Sequence, residues 1–315
     1  VNDLLKLATG VDVRQRGGFG VQTDISINGG TFDQITILLN GVNISSPQTG
    51  HNAADFPVSL SDIERIEVLE GASARVFGSS AFNGAINIVT RPDRESCVRL
   101  SAEGGSFGSF GGDFGVSLLT GSVSQKLSGG YTQSDGGTKN SDFKRRRAYY
   151  TGSYTSRYAD LVWQAGLSSQ DYGASTFYSA KFDNQWEATR RIITSAQADI
   201  KPFGDERLVI TPQAYWHRDV DHYQLTRGKE GAKNGENYHR TDVYGASLNA
   251  HATWLLGKTA VGMDIRKEHI LSTAYGDLLP ENEWKDIHGT DRRYDHRGDR
   301  TNTSLFLEHN VILGG

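Results

Sequence analysis

The chain has 315 residues and a formal net charge of -4, and it is rich in glycine and aromatic residues, with 37 Gly, 13 Tyr, 13 Phe and 5 Trp. This charge balance excludes a basic surface for nucleic acid, and no apolar run approaches the ~18 residues of a membrane-spanning helix. A transmembrane β-barrel is not excluded, because its strands alternate between lipid-facing and lumen-facing residues and therefore average to polar. The single Cys97 excludes an internal disulfide and says little about the compartment.

The N-terminal part of the chain predicts a series of short elements. A helix is expected over 2–7, and strands are expected around 11–13 and 25–27. The apolar run Ile35–Leu39 precedes Asn40-Gly41, a dipeptide that strongly indicates a β-hairpin. The polar stretch 43–57, which contains Gly and Pro, is then predicted to be a loop.

The most informative stretch is 63–92, which reads IERIEVLEGASARVFGSSAFNGAINIVTRP. Two β-prone apolar runs flank a segment rich in Gly and Ser, so the pattern predicts strand, tight turn, short helix and strand. This sequence resembles the C-terminal half of the plug domain of TonB-dependent outer-membrane receptors. The earlier pieces VDVRQRG and LLNG stand in the order expected for that family.

Long alternating strands are predicted after Pro92. Even positions from Tyr244 to Trp254 are apolar or aromatic, whereas the odd positions between them are small and polar. The links are alternately tight (119–123, 156–160, 202–206, 256–259) and long (133–144, 172–189, 220–239, 274–300), which is typical of outer-membrane barrels, although the first outer link, 104–108, is short. The strands are predicted at 98–104, 109–119, 122–134, 146–156, 160–171, 190–201, 207–219, 240–256, 259–274 and 301–312.

These strands are too few to close around the first segment. Ten strands close at a diameter of about 20 Å, whereas a globule the size of that segment is about 30 Å across and 22 strands give about 44 Å. We therefore expect a membrane all-β fold, namely an antiparallel transmembrane β-barrel of about 22 strands in a longer protein, about ten of them here, with an N-terminal mixed α/β plug domain inside its lumen. The expected boundaries are 1–93 for the plug domain and 94–315 for the barrel portion.

The resemblance implies that a nutrient binds between the plug tip and the outer loops. In the tip the candidates are hydrogen-bonding side chains, and in the loops they are aromatic rings, which make large contacts at a low entropic cost. The alternatives are a solvated loop for the tip and an interfacial girdle for some of the rings. The predicted ligand-binding residues are Ser46, Gln48, Thr49, His51, Tyr172, Phe177, Tyr178, Trp186, Tyr223 and Tyr238.

Other candidate chemistry is sparse. The acidic run at Asp219, Asp221 and His222 is a weak candidate for Ca²⁺ in an outer loop, and a solvated loop is the preferred interpretation. Arg65 and Arg75 are candidates for ion pairs with the barrel or, alternatively, solvated surface residues. The sequence contains no metal, nucleophile or paired-carboxylate motif, so we predict no metal, no cofactor and no enzymatic activity.

The predicted function is TonB-dependent active import of cobalamin or an iron chelate, including haem, across the outer membrane of a Gram-negative bacterium. The resemblance implies a TonB-type energy-coupling complex, outer-membrane lipid and a small-molecule nutrient as partners, and a surface lipoprotein is a further candidate. The rival hypothesis is a surface β-rich binding or adhesion protein that transports nothing.

Overall fold

The structure is a computed structural model that describes residues 2–18, 21–49, 55–70, 83–90 and 95–311. In those residues one short helix and a series of strands are joined by turns and single-turn 3₁₀ helices. The elements are α1 (Asn2–Leu5), β1 (Val11–Gln15), β2 (Thr23–Ile27), β3 (Ile35–Leu39), β4 (Val42–Asn43), β5 (Ile63–Glu70), β6 (Gly84–Thr90), β7 (Cys97–Gly104), β8 (Phe110–Thr120), β9 (Val123–Ser134), β10 (Phe143–Thr155), β11 (Ala159–Gly173), β12 (Trp186–Ile200), β13 (Leu208–Gln224), β14 (Glu236–Trp254), β15 (Gly257–Ser272), β16 (Asp277–Leu278), β17 (Lys285–Asp286), β18 (Arg293–Tyr294) and β19 (His296–Val311).

The N-terminal segment, from α1 to β6, contains a small mixed sheet in the order β4-β3-β6-β5 and a separate β1-β2 pair. Strands β3 and β6 pair in parallel, which places the apolar run Ile35–Leu39 in the centre of the sheet, where all five residues are buried. Asn40 and Gly41 form the predicted two-residue turn between β3 and β4, with φ angles of 52° and 76°. Positive φ at both positions is the geometry that Asn-Gly favours.

The C-terminal segment forms one antiparallel sheet of eleven strands in the order β16-β19-β15-β14-β13-β12-β11-β10-β9-β8-β7. We call this sheet the wall. Its ten long strands correspond to the ten predicted from the sequence, and each pairs with the next long strand along the chain. The described residues include no helix with both the length and the apolar character needed to cross a membrane.

The two faces of the wall differ in chemistry. On β14, Tyr244, Leu248 and Trp254 point outward and are about half exposed, at 50%, 56% and 50%. Val243 points to the other face and is fully buried in one apolar cluster with side chains of the N-terminal segment such as Ile37 and Ile86. The inner face therefore packs against the N-terminal segment, and the outer face presents apolar side chains. This arrangement is the predicted fold of a partial β-barrel with a plug.

Several strands extend further toward the long links than the sequence predicted. Strand β12 begins at Trp186 rather than at 190, and β14 begins at Glu236 rather than at 240. The prediction that Tyr172, Trp186, Tyr223 and Tyr238 lie in loops is therefore wrong, since all four lie on strand ends. The apolar alternation stops before the strands do, because ladder hydrogen bonds continue where the outer face no longer needs apolar side chains.

Candidate functional site

The link between β11 and β12, residues 174–185, is attached to the N-terminal segment. Arg16 donates to the backbone carbonyl of Phe177, and its Nε and Nη2 atoms lie 2.9 and 2.7 Å from Oδ2 of Asp24. Gln22 donates from Nε2 to the hydroxyl of Tyr178. The two contacts hold the link against the plug from separate points.

A carboxylate on the wall completes this contact region. The hydroxyl of Tyr172 donates to Oε2 of Glu187 over 2.7 Å, and the hydroxyl of Tyr178 donates to the same oxygen. Burial raises the pKa of Tyr178 well above its usual value, and the nearby Glu187 carboxylate raises it further, so this phenol remains a proton donor at physiological pH. We call the set Arg16, Gln22, Tyr172, Tyr178 and Glu187 the junction.

The predicted aromatic ligand residues at the junction differ in accessibility. Tyr172 is fully buried and stacks on Phe177 with ring centroids 6.1 Å apart. Tyr178 keeps 40% of its surface exposed although its hydroxyl is enclosed, and its ring meets Tyr223 edge-on at 5.4 Å. Tyr178 and Tyr223 therefore form a partly exposed aromatic pair, whereas Tyr172 is enclosed.

The predicted plug tip contacts the same region of the wall. Gln48 donates from Nε2 to Oδ2 of Asp221 over 3.0 Å. Ser46 lines a cavity of about 550 Å³ between the tip and the inner faces of β12–β15 and β19. This volume is in the range of small-molecule sites. Thr49 belongs to the described residues and interacts with another group, whereas His51 lies outside the described residues.

Trp186 and Tyr238 lie on the opposite, outer face of the wall. His222 stacks on Tyr238 with centroids 4.0 Å apart and meets Trp186 edge-on at 5.0 Å. Arg292, from the link between β15 and β19, covers the Tyr238 ring and binds Glu236 at 3.0 Å. The structure thus divides the predicted ligand residues between the two faces of the wall and brings only the inward group to the plug.

Cations of the wall hold the plug, and the sequence did not single them out. Lys126 on β9 lies 3.1 Å from Asp62, and both side chains are almost completely buried, at 1% and 0% exposed. Arg191 on β12 donates to the backbone carbonyl of Asp55 over 3.1 Å. Arg266 on β15 donates to the carbonyl of Ser45 over 2.7 Å. The signal that could have found them is a Lys or Arg at an inward position of an alternating strand.

Two further sequence candidates have local partners. Arg65 pairs with Glu64 and Glu67 of its own strand at 3.3 and 2.7 Å and is about half exposed, which agrees with the surface alternative; Arg75 lies outside the described residues. In the acidic run, Arg191 binds Asp219 and Gln48 binds Asp221. Across the described part of the chain, no group of three or more His, Cys, Asp or Glu side chains is placed to hold a metal ion.

Comparisons with known proteins agree with this architecture. The family model described as the TonB-dependent receptor plug domain matches residues 1–85. A curated protein named vitamin B12 transporter BtuB, from Photobacterium profundum, is 30% identical over 268 residues, which cover 73% of this chain and 42% of that protein. A protein of the same name from Vibrio vulnificus is 29% identical over 210 residues, covering 60% of this chain and 34% of that protein. The chain thus spans less than half the length of these relatives.

Solved structures with the same fold are more distant in sequence. The unliganded ferric citrate transporter FecA superposes with a TM-score of 0.76 at 16% identity, covering 100% of this chain and 51% of that one. The FrpB iron transporter from Neisseria meningitidis (F3-3 variant) superposes with a TM-score of 0.75 at 15% identity, covering 100% and 53%. With the plug match, the BtuB relatives and a plug packed against the inner face of a partial barrel, the chain belongs to the TonB-dependent receptors.

Proposed function

We propose that the protein imports a scarce nutrient across the outer membrane of a Gram-negative bacterium, powered by a TonB-type energy-coupling complex. The observation that carries this proposal is the division of the wall into a polar inner face that holds the N-terminal segment and an apolar outer face. A soluble adhesion protein has no reason to expose apolar side chains along whole strands while it buries cations such as Lys126 and Arg191 on the other face.

Cobalamin is our first choice of substrate, and an iron chelate is the second. The choice is supported by the curated relatives, which are named vitamin B12 transporters, and by the ferric citrate and iron transporters among the structural neighbours. The sequence identity to the BtuB proteins is higher, so cobalamin takes precedence.

The proposed ligand contacts are the tip residues Ser46, Gln48 and Thr49 together with the aromatic surface of Tyr178 and Tyr223. Gln48 binds Asp221 and Gln22 binds Tyr178, so plug, link and wall share hydrogen bonds at this site. A ligand that displaces Gln48 from Asp221 would change the contacts that hold the plug. This coupling is a physical route from substrate binding to plug movement.

The work of import is mechanical in this proposal. We assign 1–93 to the plug and 94–315 to the barrel portion, and we propose that the energy-coupling complex pulls on the plug from the periplasm. The polar contacts between plug and wall favour this mode of action, since hydrogen bonds that break as the plug moves can be replaced by hydrogen bonds to water at a small net cost.

Uptake by whole cells tests the proposal. The protein is produced in a Gram-negative host that lacks its own vitamin B12 receptor, and the accumulation of radiolabelled cyanocobalamin is measured with and without a functional TonB. We expect uptake that requires both the protein and TonB and that stops when a protonophore is added. Uptake of ferric citrate but not of cyanocobalamin would change the assigned substrate, and no TonB-dependent uptake of either compound would refute the proposal.

The rival hypothesis of a non-transporting adhesion protein makes a different prediction. Such a protein would remain monodisperse in buffer without detergent, whereas a protein with an apolar outer face aggregates when detergent is removed. Size-exclusion chromatography with and without detergent separates the two hypotheses.

A further inference from the structure

Four cations lie on the outer face of four consecutive wall strands, near the ends that carry the long links. They are Arg190 on β12, Arg218 on β13, Arg240 on β14 and Lys267 on β15. Directly paired residues of a sheet share a face, and Lys267 pairs with the outward-facing Tyr244. The other three lie on the same face. Arg240 is four residues from Tyr244 on β14, and the pairs Arg240–Val220 and Val220–Arg190 carry this face to β13 and β12. Arg218 is two residues from Val220 and therefore also points outward. We call these four residues the cation belt.

The strands are displaced along one another, so residues at equal height are not the paired ones. Ile210, next to the tight link after β12, pairs with Ala250. Strand β14 nevertheless continues for four residues past Ala250, to Trp254, before its own tight link begins. From β12 to β15, the residues at one height therefore lie progressively closer to the tight links than the residues of one hydrogen-bonded row.

Three of the four cations follow the same displacement. The hydrogen-bonded row through Arg190 reaches Arg240 and then Leu271. Lys267 lies four residues nearer the tight link than Leu271, the same shift that the links show. Arg190, Arg218 and Lys267 therefore lie at similar heights, whereas Arg240, in the same row as Arg190, lies nearer the long links. Three strand spacings of ~4.8 Å separate β12 from β15, so the belt is about 14 Å wide.

The height of the belt is that of a membrane surface. Trp216 pairs with Tyr244, and both rings point outward one step closer to the tight links than Arg218. Trp and Tyr concentrate at the boundary between the apolar band and the headgroups. The guanidinium of Arg218 lies 5.4 Å from the Trp216 ring centre, which places a cation directly above this boundary.

A single buried carboxylate organises the centre of the belt. Asp242 is 2% exposed and accepts hydrogen bonds from Nε of Arg218 at 2.7 Å and from Nε1 of Trp216 at 3.2 Å, while Nε of Arg240 lies 3.4 Å from its other oxygen. Arg218 is thus held by a hydrogen bond through Nε, and Arg240 lies at ion-pair distance from the same carboxylate. Among the described residues, the terminal nitrogens of the two guanidinium groups have no hydrogen-bond or ion-pair partner. Arg fixed in this way is suited to a phosphate, which accepts two parallel hydrogen bonds.

The belt carries an excess of positive charge. Its four cations against Asp242 give 4 − 1 = +3, and in the part of the chain that the structure describes Arg190 and Lys267 have no ion-pair partner. Two nearby carboxylates lie beside other cations. Asp171 lies directly opposite Lys144, and Asp299 binds His269 at 2.7 Å and Arg297 at 3.0 Å.

We propose that the cation belt binds the phosphate groups of a phosphorylated lipid headgroup in the outer leaflet. A lipid is favoured over a soluble anion because the acyl chains of a bound lipid would lie against the apolar residues below the belt, for example Leu248 and Ala246. The inference rests on the outer-membrane placement proposed above and is independent of which nutrient is imported.

Lipid retention by the purified protein tests the proposal. The intact protein in detergent is titrated with a bisphosphorylated acylated glycolipid, and bound lipid is counted by native mass spectrometry. The variant Arg190→Gln with Lys267→Gln removes the two cations that have no described partner, so the fold should be retained. We expect its apparent affinity to fall about 25-fold, since each cation contributes roughly a factor of five near an anionic surface.

A matched variant controls for the loss of charge itself. Arg157→Gln with Arg207→Gln removes two exposed cations at the tight-link end of the wall, and this variant should bind the lipid as the wild type does. Arg190→Lys with Lys267→Arg keeps both charges and should also retain binding. If the Gln pair does not fold, the single Lys267→Gln change is measured instead, with an expected loss of about fivefold.

The source of the phosphate is tested in parallel titrations. The same glycolipid without phosphate should bind at least tenfold more weakly, and millimolar inorganic phosphate should not displace the phosphorylated lipid. Equal binding by wild type and Gln variants, equal binding of the dephosphorylated lipid, or full displacement by inorganic phosphate would overturn the proposal. None of these readouts involves nutrient uptake, so failure of the proposed import leaves the result interpretable.

Discussion

The two faces of the wall are formed by alternate residues of the same strands, and they differ in polarity and in what they contact. On the inner face, Gln164 donates to the backbone carbonyl of Leu39 at 3.2 Å and to Ser195 at 2.8 Å and accepts from Tyr149 at 2.7 Å. On the outer face, Leu248 is 56% exposed. Water is excluded where the plug docks, so polar groups there must be paired, and the face without the plug is the apolar one.

The comparison teaches that burial alone does not identify the core of this protein. Large buried side chains include Arg191 and Lys126 of the wall together with Ile37 and Leu38 of the plug. The plug has an ordinary apolar core, whereas its contact with the wall combines apolar side chains such as Val243 with hydrogen bonds and ion pairs. Variants that act on one face only should therefore have separable effects.

The largest effect is expected at the ion pair between Lys126 and Asp62. Lys126→Ala leaves the Asp62 carboxylate buried without its cation, which should destabilise plug docking by about 3–5 kcal/mol. Limited proteolysis of the N-terminal segment and chemical unfolding in detergent would detect the loss.

The double variant Lys126→Met with Asp62→Asn is the control for this pair. Replacing both charges removes the unpaired carboxylate, so docking should recover most of its stability. A Lys126→Ala protein as resistant to protease as the wild type would argue against a polar attachment of plug to wall.

Arginine scanning compares the two faces directly. Leu248→Arg on the outer face should cost about 2–4 kcal/mol in a bilayer, because it places a cation near the middle of the apolar band. Asn249→Arg on the inner face enters the cavity beside the plug tip and should cost much less. Equilibrium unfolding from lipid vesicles gives both values, and equal costs would contradict the assignment of the faces.

A smaller effect is expected at the junction. Gln22→Ala removes the donor to Tyr178 and should weaken the attachment of the link 174–185 by about 1 kcal/mol. Hydrogen exchange in the link should then quicken roughly fivefold. Lys181→Ala, in the same link but exposed, should leave exchange unchanged, and an equal response to both changes would remove the junction as the cause.

The smallest expected effect is the pH dependence of an ion pair that joins two outer links. A hydrogen bond from Arg227 lowers the pKa of Asp142 below its usual value of 3.8. A carboxyl whose pKa is depressed in the folded state stabilises above its unfolded pKa, and this contribution disappears as the pH falls through the folded value. Both side chains are more than a third exposed, so the contribution should be below about 1 kcal/mol.

Spin labels on the links 135–142 and 225–235 would measure this contact. The distance distribution should broaden between pH 5 and pH 2 in the wild type. In Arg227→Gln it should be broad at every pH, and a wild type that does not respond to acid would contradict the assigned ion pair.

The sequence predicted the fold well where one periodic pattern decides the structure. Strand β14 alternates from Tyr244 to Trp254, and the structure places the two sets on opposite faces as the alternation requires. The Asn40-Gly41 turn was predictable because few residue pairs accept two positive φ angles.

The candidate site was less predictable because residues in it meet across long sequence separations. Gln22 reaches Tyr178 and Gln48 reaches Asp221, and no local pattern encodes such pairs. Trp186 and Tyr238 belong to the predicted ligand set by residue type, yet they lie on the outer face, since the facing of a strand residue depends on where its strand begins.

Collision accessibility along β14 tests the central claim most directly. With Cys97 replaced by Ser, a nitroxide is attached in turn at each position from Tyr244 to Trp254 of the protein in lipid bilayers. Oxygen, which concentrates in lipid, should speed the spin relaxation of the nitroxide with a period of two residues. The effect should be strong at even positions such as Leu248 and weak at odd positions such as Asn249. Maxima at the odd positions, or no period at all, would contradict a wall that turns its apolar face to lipid and its polar face to the plug.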